Sequence, residues 1–255
     1  DIPVPSMETR QSKSYDAKFK DEILEVCATL ARVTEESLQQ GHIPLVIGGD
    51  HSVAMGSISG IAAHYRKRHQ EIGLIWFDAH GDMNTPSISP SGNIHGMPLA
   101  HLIGKGDTDL AGIHDICPTV DPDKIALIGI RDIDGIEREV LRESGIHSFT
   151  MRQIDDMGMP RVCAEAIEIT TSGTAGFHIS FDVDGCDPEV IPGSGTLVPG
   201  GVSYREAHLL LEYCADSQKM LSMDVVELNP FLDLKNQSAE RMVSLILSAF
   251  GQSIL

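Results

Sequence analysis

Short apolar segments alternate with longer amphipathic segments along most of the chain. The short ones are rich in Ile, Leu, Val and Phe, as in strands that are buried on both faces. The longer ones carry apolar side chains at the spacing of a helix. The predicted strands are 43–47, 72–77, 125–130, 147–149, 177–181 and 220–226. The predicted helices are 15–40, 52–69, 95–103, 135–144, 151–157, 160–171, 203–216 and 238–250.

This alternation predicts an α/β fold with three layers, in which helices cover both faces of a mainly parallel sheet. The 255 residues suit one catalytic domain over 1–255, because no internal repeat or linker divides them. Stretches 1–13, 81–93, 104–123 and 185–201 lack a regular period and are predicted loops. Ligands of such folds bind at the carboxyl ends of the strands, where two of these loops begin.

The composition narrows the classes of function. The formal net charge of −18 disfavours nucleic acid and anionic membranes as partners and favours a cationic substrate. The sequence has no signal-peptide pattern and no apolar run long enough to span a membrane, which predicts a cytoplasmic protein. The five cysteines are odd in number and widely spaced, without a C-x-x-C pair, so we expect reduced, buried thiols.

Clusters of acidic and histidine side chains follow three of the predicted strands. They are Asp50-His51, Asp78-Ala79-His80-Gly81-Asp82, and Asp182-Val183-Asp184 with Asp187 just beyond. In an extended segment, side chains two and four residues apart share a face, so the members of each cluster point the same way. So many like charges cannot converge without cations between them. The clusters therefore predict a carboxylate-rich metal site, with two metal ions.

Each cluster also has an ordinary explanation when taken alone. Asp-Val-Asp could be a helix cap or turn, D-x-H-x-D could be a loop with Asx turns, and a lone His is often a hydrogen-bonded structural residue. Together, these explanations require coincidences at equivalent ends of three strands. Oxygen ligands with a minority of imidazoles favour Mn²⁺ over structural zinc, with Fe²⁺, Co²⁺ and Ni²⁺ as competitors. Two such ions about 3.5–4 Å apart can share and activate a water, which predicts a hydrolase.

The segments that contain the clusters resemble the signatures of the ureohydrolases, a family that includes arginase, agmatinase and formimidoylglutamase. The matching segments are GGDHS at 48–52, FDAHGDMN at 77–84, SGNIHG at 91–96, RDID at 131–134, SFDVDGCDP at 180–188, the Gly-rich 193–201 and ELNP at 227–230. The resemblance covers the chain from about residue 40 onward, in order, and within the family it is strongest to arginases.

This resemblance implies two Mn²⁺ ions per chain and assigns their ligands. One ion would be held by His51, Asp78, Asp82 and Asp182, and the other by His80, Asp78, Asp182 and Asp184. Asp78 and Asp182 would bridge the ions together with a hydroxide, which Asp82 would orient. Asp50 and Asp187 lie outside this ligand set.

The resemblance also implies three further contacts in the reaction. His95 would shuttle protons, although a His that begins a helix can simply bond to backbone. Glu227 would bind the substrate guanidinium, although an internal salt bridge with Arg or Lys is the alternative. Thr196 would assist there or serve only in a turn.

Arginases recognise the amino-acid end of their substrate, and the matching positions are present here. Asn84, Ser91 and Asn93 can donate hydrogen bonds to an α-carboxylate, and Asp134 and Glu137 can face an α-ammonium. The alternative is an Asx-rich loop and a solvated helix start. The implied reaction is hydrolysis of L-arginine to L-ornithine and urea.

Other hypotheses stay open at this point. The chain could hydrolyse agmatine or another guanidino compound, or it could be a non-catalytic scaffold that binds metal or arginine. A two-metal phosphoesterase is disfavoured because no basic or Gly-rich phosphate cradle accompanies the clusters.

The N-terminal part departs from the family pattern. Arginases begin with a further strand and a Gly-rich loop, which this chain, starting at Asp1, lacks. We expect either a segment outside this sequence or a sheet with one strand fewer. The family also implies a homotrimer or homohexamer.

Overall fold

Six parallel strands form the central sheet of the part of the chain that the computed structural model describes, residues 1–3, 12 and 14–253. They are β1 (Leu45–Ile47), β2 (Gly73–Phe77), β3 (Ile125–Ile130), β4 (His147–Thr150), β5 (Phe177–Asp182) and β6 (Met220–Val226), and their order in the sheet is β1-β6-β5-β2-β3-β4. Every neighbouring pair is parallel.

Helices cover both faces of this sheet, so the predicted three-layer fold is confirmed. They are α1 (Lys20–Gln39), α2 (Ala54–Arg66), α3 (Pro98–Leu102), α4 (Thr108–Ala111), α5 (Gly135–Arg142), α6 (Met151–Met157), α7 (Met159–Thr171), α8 (Tyr204–Ser217) and α9 (Gln237–Ala249).

The alternation of side chains along β2 divides the core into two parts. Ile75 and Phe77 pack on one side, in the cluster that contains residues of α6, α7, α8 and α9. Leu74 and Trp76 pack on the other side with residues of α2, α3 and α5. α1 lies outside α2, and the two share a third, smaller cluster. All five residues of β2 are buried, as expected of a central parallel strand.

The structure corrects the predicted start of the first helix. The predicted helix 15–40 begins only at Lys20, because Phe19 adopts a left-handed φ of 58°. The preceding backbone packs elsewhere: the Lys18 amide donates to the carbonyl of Gly92 at 2.8 Å. The C-terminal end agrees with the sequence, since Gly41 has a φ of 79° and its amide donates to Leu38.

Two other predicted helices begin with a 3₁₀ turn. The predicted helix 52–69 comprises the turn His51–Val53 followed by α2. The predicted helix 95–103 comprises the turn Ile94–Gly96 and then α3, which has Pro98 in its first position. The predicted loop 104–123 contains α4, and the predicted loop 1–13 lies mostly outside the described residues.

The strand order places four carboxyl ends side by side. β1, β6, β5 and β2 are neighbours, and the three acidic clusters follow β1, β5 and β2. Glu227 follows β6 directly. The topology therefore brings the three acidic clusters and Glu227, which are far apart in the sequence, together at one edge of the sheet. Among residues 1–3, 12 and 14–253, no helix combines the length and apolar character needed to cross a membrane.

Candidate metal centre and active site

The first group of potential ligands surrounds His51. Its Nδ1 lies 3.1 Å from Oδ2 of Asp78, of Asp82 and of Asp182. His51 is delivered by a 3₁₀ turn that Asp50 caps, since the Asp50 carboxylate accepts from the amide of Ser52. All four grouped side chains are buried. The structure thus brings together the complete predicted set for the first ion.

The second group surrounds His80. Its Nδ1 lies 3.3 Å from Oδ1 of Asp78 and from Oδ2 of Asp184. Asp78 belongs to both groups, with Oδ2 facing His51 and Oδ1 facing His80. The fourth predicted member, Asp182, directs Oδ2 at His51, and its Oδ1 accepts from the Asp184 amide at 2.8 Å. Three members of each group have a spacing that suits metal binding: the ligand atoms of His51, Asp78 and Asp182, and those of Asp78, His80 and Asp184, lie within 4.8 Å of one another.

Two polar atoms at the centre of the first group lack partners. His51 Nδ1 and Asp82 Oδ2 are buried, and neither has a hydrogen bond with acceptable geometry to any described residue. Burying such atoms unpaired is costly. A cation held between the imidazole and the carboxylates would satisfy both, so the residues present fit a metal ion.

The titration of the site supports the same interpretation. Burial and the neighbouring charge of Asp78 raise the pKa of Asp82 to about 6. Burial and the charges of Asp184 and Asp78 raise the pKa of Asp182 well above its usual range. Burial opposes the charge on His80, but the carboxylates of Asp184 and Asp78 raise its pKa to about 12. The carboxylates repel one another and draw positive charge toward them.

A cavity of about 230 Å³ opens over both groups. Its floor includes His51, His80, Asp82, Asp182 and Asp184, while Asp78 is buried beneath. Its walls also contain the other predicted residues His95, Glu227, Thr196, Asn84, Asp134 and Glu137. One space therefore connects the ligand groups with most of the predicted substrate contacts.

Glu227 and His95 form a pair in this cavity. His95 Nδ1 lies 2.9 Å from Glu227 Oε1, which also accepts from the backbone amide of His51 at 2.9 Å. This hydrogen bond outweighs burial and raises the pKa of His95 to about 9. Burial opposes ionisation of Glu227, but His95 lowers its pKa. Among the described residues, the side chain that contacts Glu227 is thus the imidazole of His95. The alternative prediction was a structural salt bridge with Arg or Lys.

Asp184 has a further contact with the Gly-rich loop. Thr196 donates from Oγ1 to Asp184 Oδ2 at 2.7 Å. The hydroxyl therefore lies against a potential metal ligand while it also lines the cavity.

Another part of the cavity wall comes from the loop after β2 and the start of α5. Asn84 Nδ2 donates to Asp134 Oδ2 at 3.0 Å, and Asp134 Oδ1 caps α5 by accepting from the amides of Ile136 and Glu137. Glu137 accepts from the Met83 amide at 2.9 Å, and burial raises its pKa to about 7. These contacts hold Asp134 and Glu137 in place as an acidic wall of the cavity.

Ser91 and Asn93 are placed differently from the other predicted residues. Both are exposed, and neither lines the cavity. Ser91 Oγ accepts from the amide of Asn93 at 3.1 Å, and Asn93 Oδ1 accepts from Lys18 Nζ at 3.3 Å. The structure does not bring these two side chains together with Asn84.

Sequence reasoning missed the role of Arg131 and the cavity contact of Asp132. Arg131 donates to the carbonyls of Asp184, Gly185, Cys186 and Val198, and so ties the turn after β5 to the Gly-rich loop. Asp132 lines the cavity. The sequence indicated them only through their place in the motif at 131–134, in which a function was assigned to Asp134 alone.

Comparisons with known proteins agree with this geometry. A family model described as "Arginase family" matches residues 3–251. An arginase of Brevibacillus brevis is 46% identical over 96% of this chain and 80% of its own length. The solved arginase of Bacillus caldovelox has 42% identity and a TM-score of 0.94, covering 100% of this chain and 84% of that one. The arginase of Entamoeba histolytica, solved in complex with L-ornithine, has 36% identity and a TM-score of 0.89 over 98% and 83%. Together with its fold and site, these matches establish that the chain belongs to the arginase family of hydrolases.

Proposed function

We propose that the chain hydrolyses L-arginine to L-ornithine and urea with two Mn²⁺ ions. The observation that carries this proposal is the single cavity that joins three features. These are the two ligand groups that share Asp78, the Glu227–His95 pair and the acidic wall at Asp134. The arginase of Entamoeba histolytica was solved with L-ornithine, the product that this reaction would give.

The ligands of the proposed ions are those that the resemblance assigned. The His51 group and the His80 group would each hold one cation, with Asp78 shared between them. When bound, two such ions would lower the pKa of a water toward neutrality and so supply the hydroxide for hydrolysis. Asp82, whose Oδ2 has no hydrogen bond to the described residues, is the proposed acceptor that would orient this hydroxide.

Glu227 is the proposed anchor of the substrate guanidinium. A carboxylate suits this planar cation because it can accept two parallel hydrogen bonds. His95 lies beside it and, with a pKa of about 9, carries a proton at neutral pH. We propose that this proton passes to the amine nitrogen of ornithine as its bond to the guanidino carbon breaks.

Asp134 is the proposed partner of the α-ammonium, and Asn84 the proposed donor to the α-carboxylate. Asn84 already donates one hydrogen to Asp134 at 3.0 Å, which leaves the second amide hydrogen for substrate. Glu137 is proposed to complete the acidic wall, with Ser91 and Asn93 contacting the carboxylate from the rim.

A second candidate substrate is agmatine, which lacks the α-carboxylate. Two of the three residues proposed to read that carboxylate, Ser91 and Asn93, do not line the cavity. The acidic walls alone would accept a molecule with a cationic group at each end. This observation keeps agmatine hydrolysis as the alternative activity.

Urea release tests the proposal directly. The metal-free protein, prepared with a chelator, is given Mn²⁺ and then L-arginine or agmatine at equal concentrations. We expect urea from arginine only after Mn²⁺ is restored and much slower release from agmatine. Rapid agmatine turnover without arginine turnover would replace the proposed substrate, and arginine binding without urea release would indicate a non-catalytic scaffold.

Assembly into a homotrimer or homohexamer is a further proposal. Val243 and Leu247 of helix α9 and Phe250, which directly follows the helix, are exposed and lie four and three residues apart, so they share one face. Self-association would cover this apolar face. Analytical ultracentrifugation of the Mn²⁺-loaded protein would show a trimer or hexamer, whereas a monomer at micromolar concentration would contradict the proposal.

A further inference from the structure

A buried chain of hydrogen bonds lies behind His51, on the side away from the cavity. His51 Nε2 is 2.9 Å from Ser180 Oγ, and Ser180 Oγ donates to Asp224 Oδ1 at 2.5 Å. His51, Ser180 and Asp224 are each at most 1% exposed. The chain thus runs from a candidate metal ligand, through β5, to a carboxylate in the middle of β6.

Asp224 is surrounded by donors. Its Oδ2 accepts from Ser57 Oγ of α2 at 2.7 Å and contacts His178 Nε2 at 2.9 Å. The other ring nitrogen of His178 contacts Ser222 Oγ at 2.7 Å. Asp224 belongs to neither ligand group and does not line the cavity. Its function must therefore be exerted through the residues that it contacts.

The direction of these hydrogen bonds shows that Nε2 of His51 carries a proton. A serine hydroxyl has one proton, and Ser180 gives that proton to the carboxylate of Asp224. Ser180 Oγ can then only accept from His51, so the imidazole carries its proton on Nε2. Nδ1, the atom that faces Asp78, Asp82 and Asp182, is therefore the ring nitrogen that can give its lone pair to a metal ion. A metal ion at the first group requires this arrangement, with Nε2 protonated and Nδ1 as the ligand atom.

His80 has no such support in the described part of the chain. Its side chain is 26% exposed, and its recorded side-chain contacts are those of Nδ1 with Asp78 and Asp184. The two imidazoles of the site are therefore held in different ways.

We propose that Ser180 and Asp224 are positioning residues that hold His51 with Nδ1 toward its metal ion and strengthen binding at the first group alone. The inference rests on the proposed function, since it requires a metal ion at the His51 group. Groups that fix a ligating His in this way typically change metal affinity about 10- to 100-fold when they are removed.

A purely structural network would behave differently. Ser57, Ser180 and Asp224 join α2, β5 and β6, so their loss would also lower the melting temperature. Stability alone cannot separate the two roles. The decisive quantity is whether the effect on metal affinity passes through His51.

The test measures Mn²⁺ binding to metal-free protein by electron paramagnetic resonance of free Mn²⁺ and by calorimetry. In Ser180→Ala, we expect the affinity for one ion to fall about 10- to 100-fold while the other changes less than about twofold. Ser59→Ala removes a hydroxyl from another buried serine, on α2, and serves as the matched control. Its metal affinities should equal those of the wild type.

Asp224→Asn provides a second variant of nearly equal volume. Its amide can donate to Ser180, which would then donate to His51 Nε2 and force the proton onto Nδ1. We therefore expect a loss at least as large as in Ser180→Ala. Circular dichroism melting shows whether each variant is folded at the temperature of the titration.

A double-mutant cycle with His51→Asn decides the mechanism. In that background Ser180→Ala should leave the remaining Mn²⁺ affinity unchanged. Equal losses in both backgrounds would overturn the inference, as would an unchanged affinity in Ser180→Ala. Wild-type protein that binds fewer than two Mn²⁺ ions per chain would instead refute the proposed metal centre, so the two failures are distinguishable.

Discussion

The two ligand groups of the proposed metal centre, which we call the His51 half and the His80 half, present the same kinds of atoms in different surroundings. His51 and His80 each direct Nδ1 at carboxylate oxygens, at 3.1 Å and 3.3 Å. His51 is 1% exposed, stacks on Trp76 with ring centroids 4.0 Å apart, and is backed by Ser180. Both imidazoles line the cavity, but His80 is 26% exposed. The imidazole of the His51 half is thus built into the core, whereas that of the His80 half is more open to the cavity.

This difference separates two requirements of a two-metal enzyme. A buried imidazole whose Nε2 is hydrogen-bonded, such as that of His51, is held more rigidly, which favours tight and selective metal binding. An imidazole that is more exposed to the cavity, such as that of His80, is accessible to substrate but lacks this support. We therefore expect the His51 half to bind its ion more tightly. The predictions below test this expected difference in metal affinity between the two halves, beginning with the largest effect.

Asp78→Ala should abolish the distinction between the halves, because Asp78 contributes one oxygen to each. We expect the loss of both tightly bound Mn²⁺ ions and a fall in urea release of at least about 100-fold. Inductively coupled plasma mass spectrometry gives the metal content. Asp187→Asn, in a turn that bonds the amides of Glu189 and Gly200, is the control and should retain both ions.

Glu227→Gln should damage catalysis and leave both halves metallated. The substitution removes the charge that we propose for guanidinium binding but keeps the size of the side chain. A hydrogen bond to a charged group contributes about 1.5–3 kcal/mol, so kcat/KM for arginine should fall about 10- to 100-fold. Loss of metal from this variant would show that Glu227 supports the ligand groups instead.

The same substitution should shift the titration of His95. The Glu227 carboxylate raises the pKa of His95 to about 9, so its removal should lower that pKa toward the ordinary value of about 6.5. The pair stabilises the fold below about pH 6.5, and this contribution is lost as pH rises through about 9. Histidine NMR titration measures the shift; an unchanged pKa would remove Glu227 as its cause.

Asp134→Asn should affect only the recognition of the amino-acid end. We expect the KM for arginine to rise about tenfold, the effect of one charge-assisted hydrogen bond, and the KM for agmatine, which keeps the ammonium, to rise similarly. Turnover of 5-guanidinopentanoate, the arginine analogue without the α-amino group, should be nearly unchanged. Glu139→Gln, on the exposed face of α5, is the matched control. An equal loss with 5-guanidinopentanoate would place Asp134 in the structure of the wall and not in substrate recognition.

Trp76→Phe should have the smallest effect on metal affinity, and it tests whether the two halves can be weakened separately. Trp76 Nε1 donates to Asp78 Oδ2 at 3.0 Å, the oxygen that faces His51. Phe keeps an aromatic ring against His51 but loses this donor, so the affinity of the His51 half should fall by about 1 kcal/mol. A selective weakening of the His80 half would contradict our assignment of the two oxygens.

Much of the fold follows from the sequence because buried strands are distinctive. β3 and β6 have the predicted bounds, since each strand is flanked by a charged residue on both sides. The start of α1 does not follow, because the helical period of apolar residues continues through Phe19 into a segment that packs on Gly92. That contact joins positions far apart in the chain, and no local pattern records it.

Parts of the site could likewise be predicted from the sequence, and other parts could not. Parallel topology predicts that clusters after β1, β2 and β5 meet, so the ligand groups could be anticipated. The network behind His51 could not be predicted, since Ser180 and Asp224 lie 44 residues apart on neighbouring strands. Ser180 begins the matching segment at 180–188, but it had no assigned role, and Asp224 lies in none of the matching segments. Nor could the sequence show that Ser91 and Asn93 lie outside the cavity.

The most direct measurement is urea release from L-arginine as Mn²⁺ is titrated into metal-free protein at a known chain concentration. If the His51 half fills first and both ions are required, little urea is released up to one equivalent, and activity rises between one and two equivalents. Full activity at one equivalent, or activity without added metal, would contradict a two-ion centre with unequal halves.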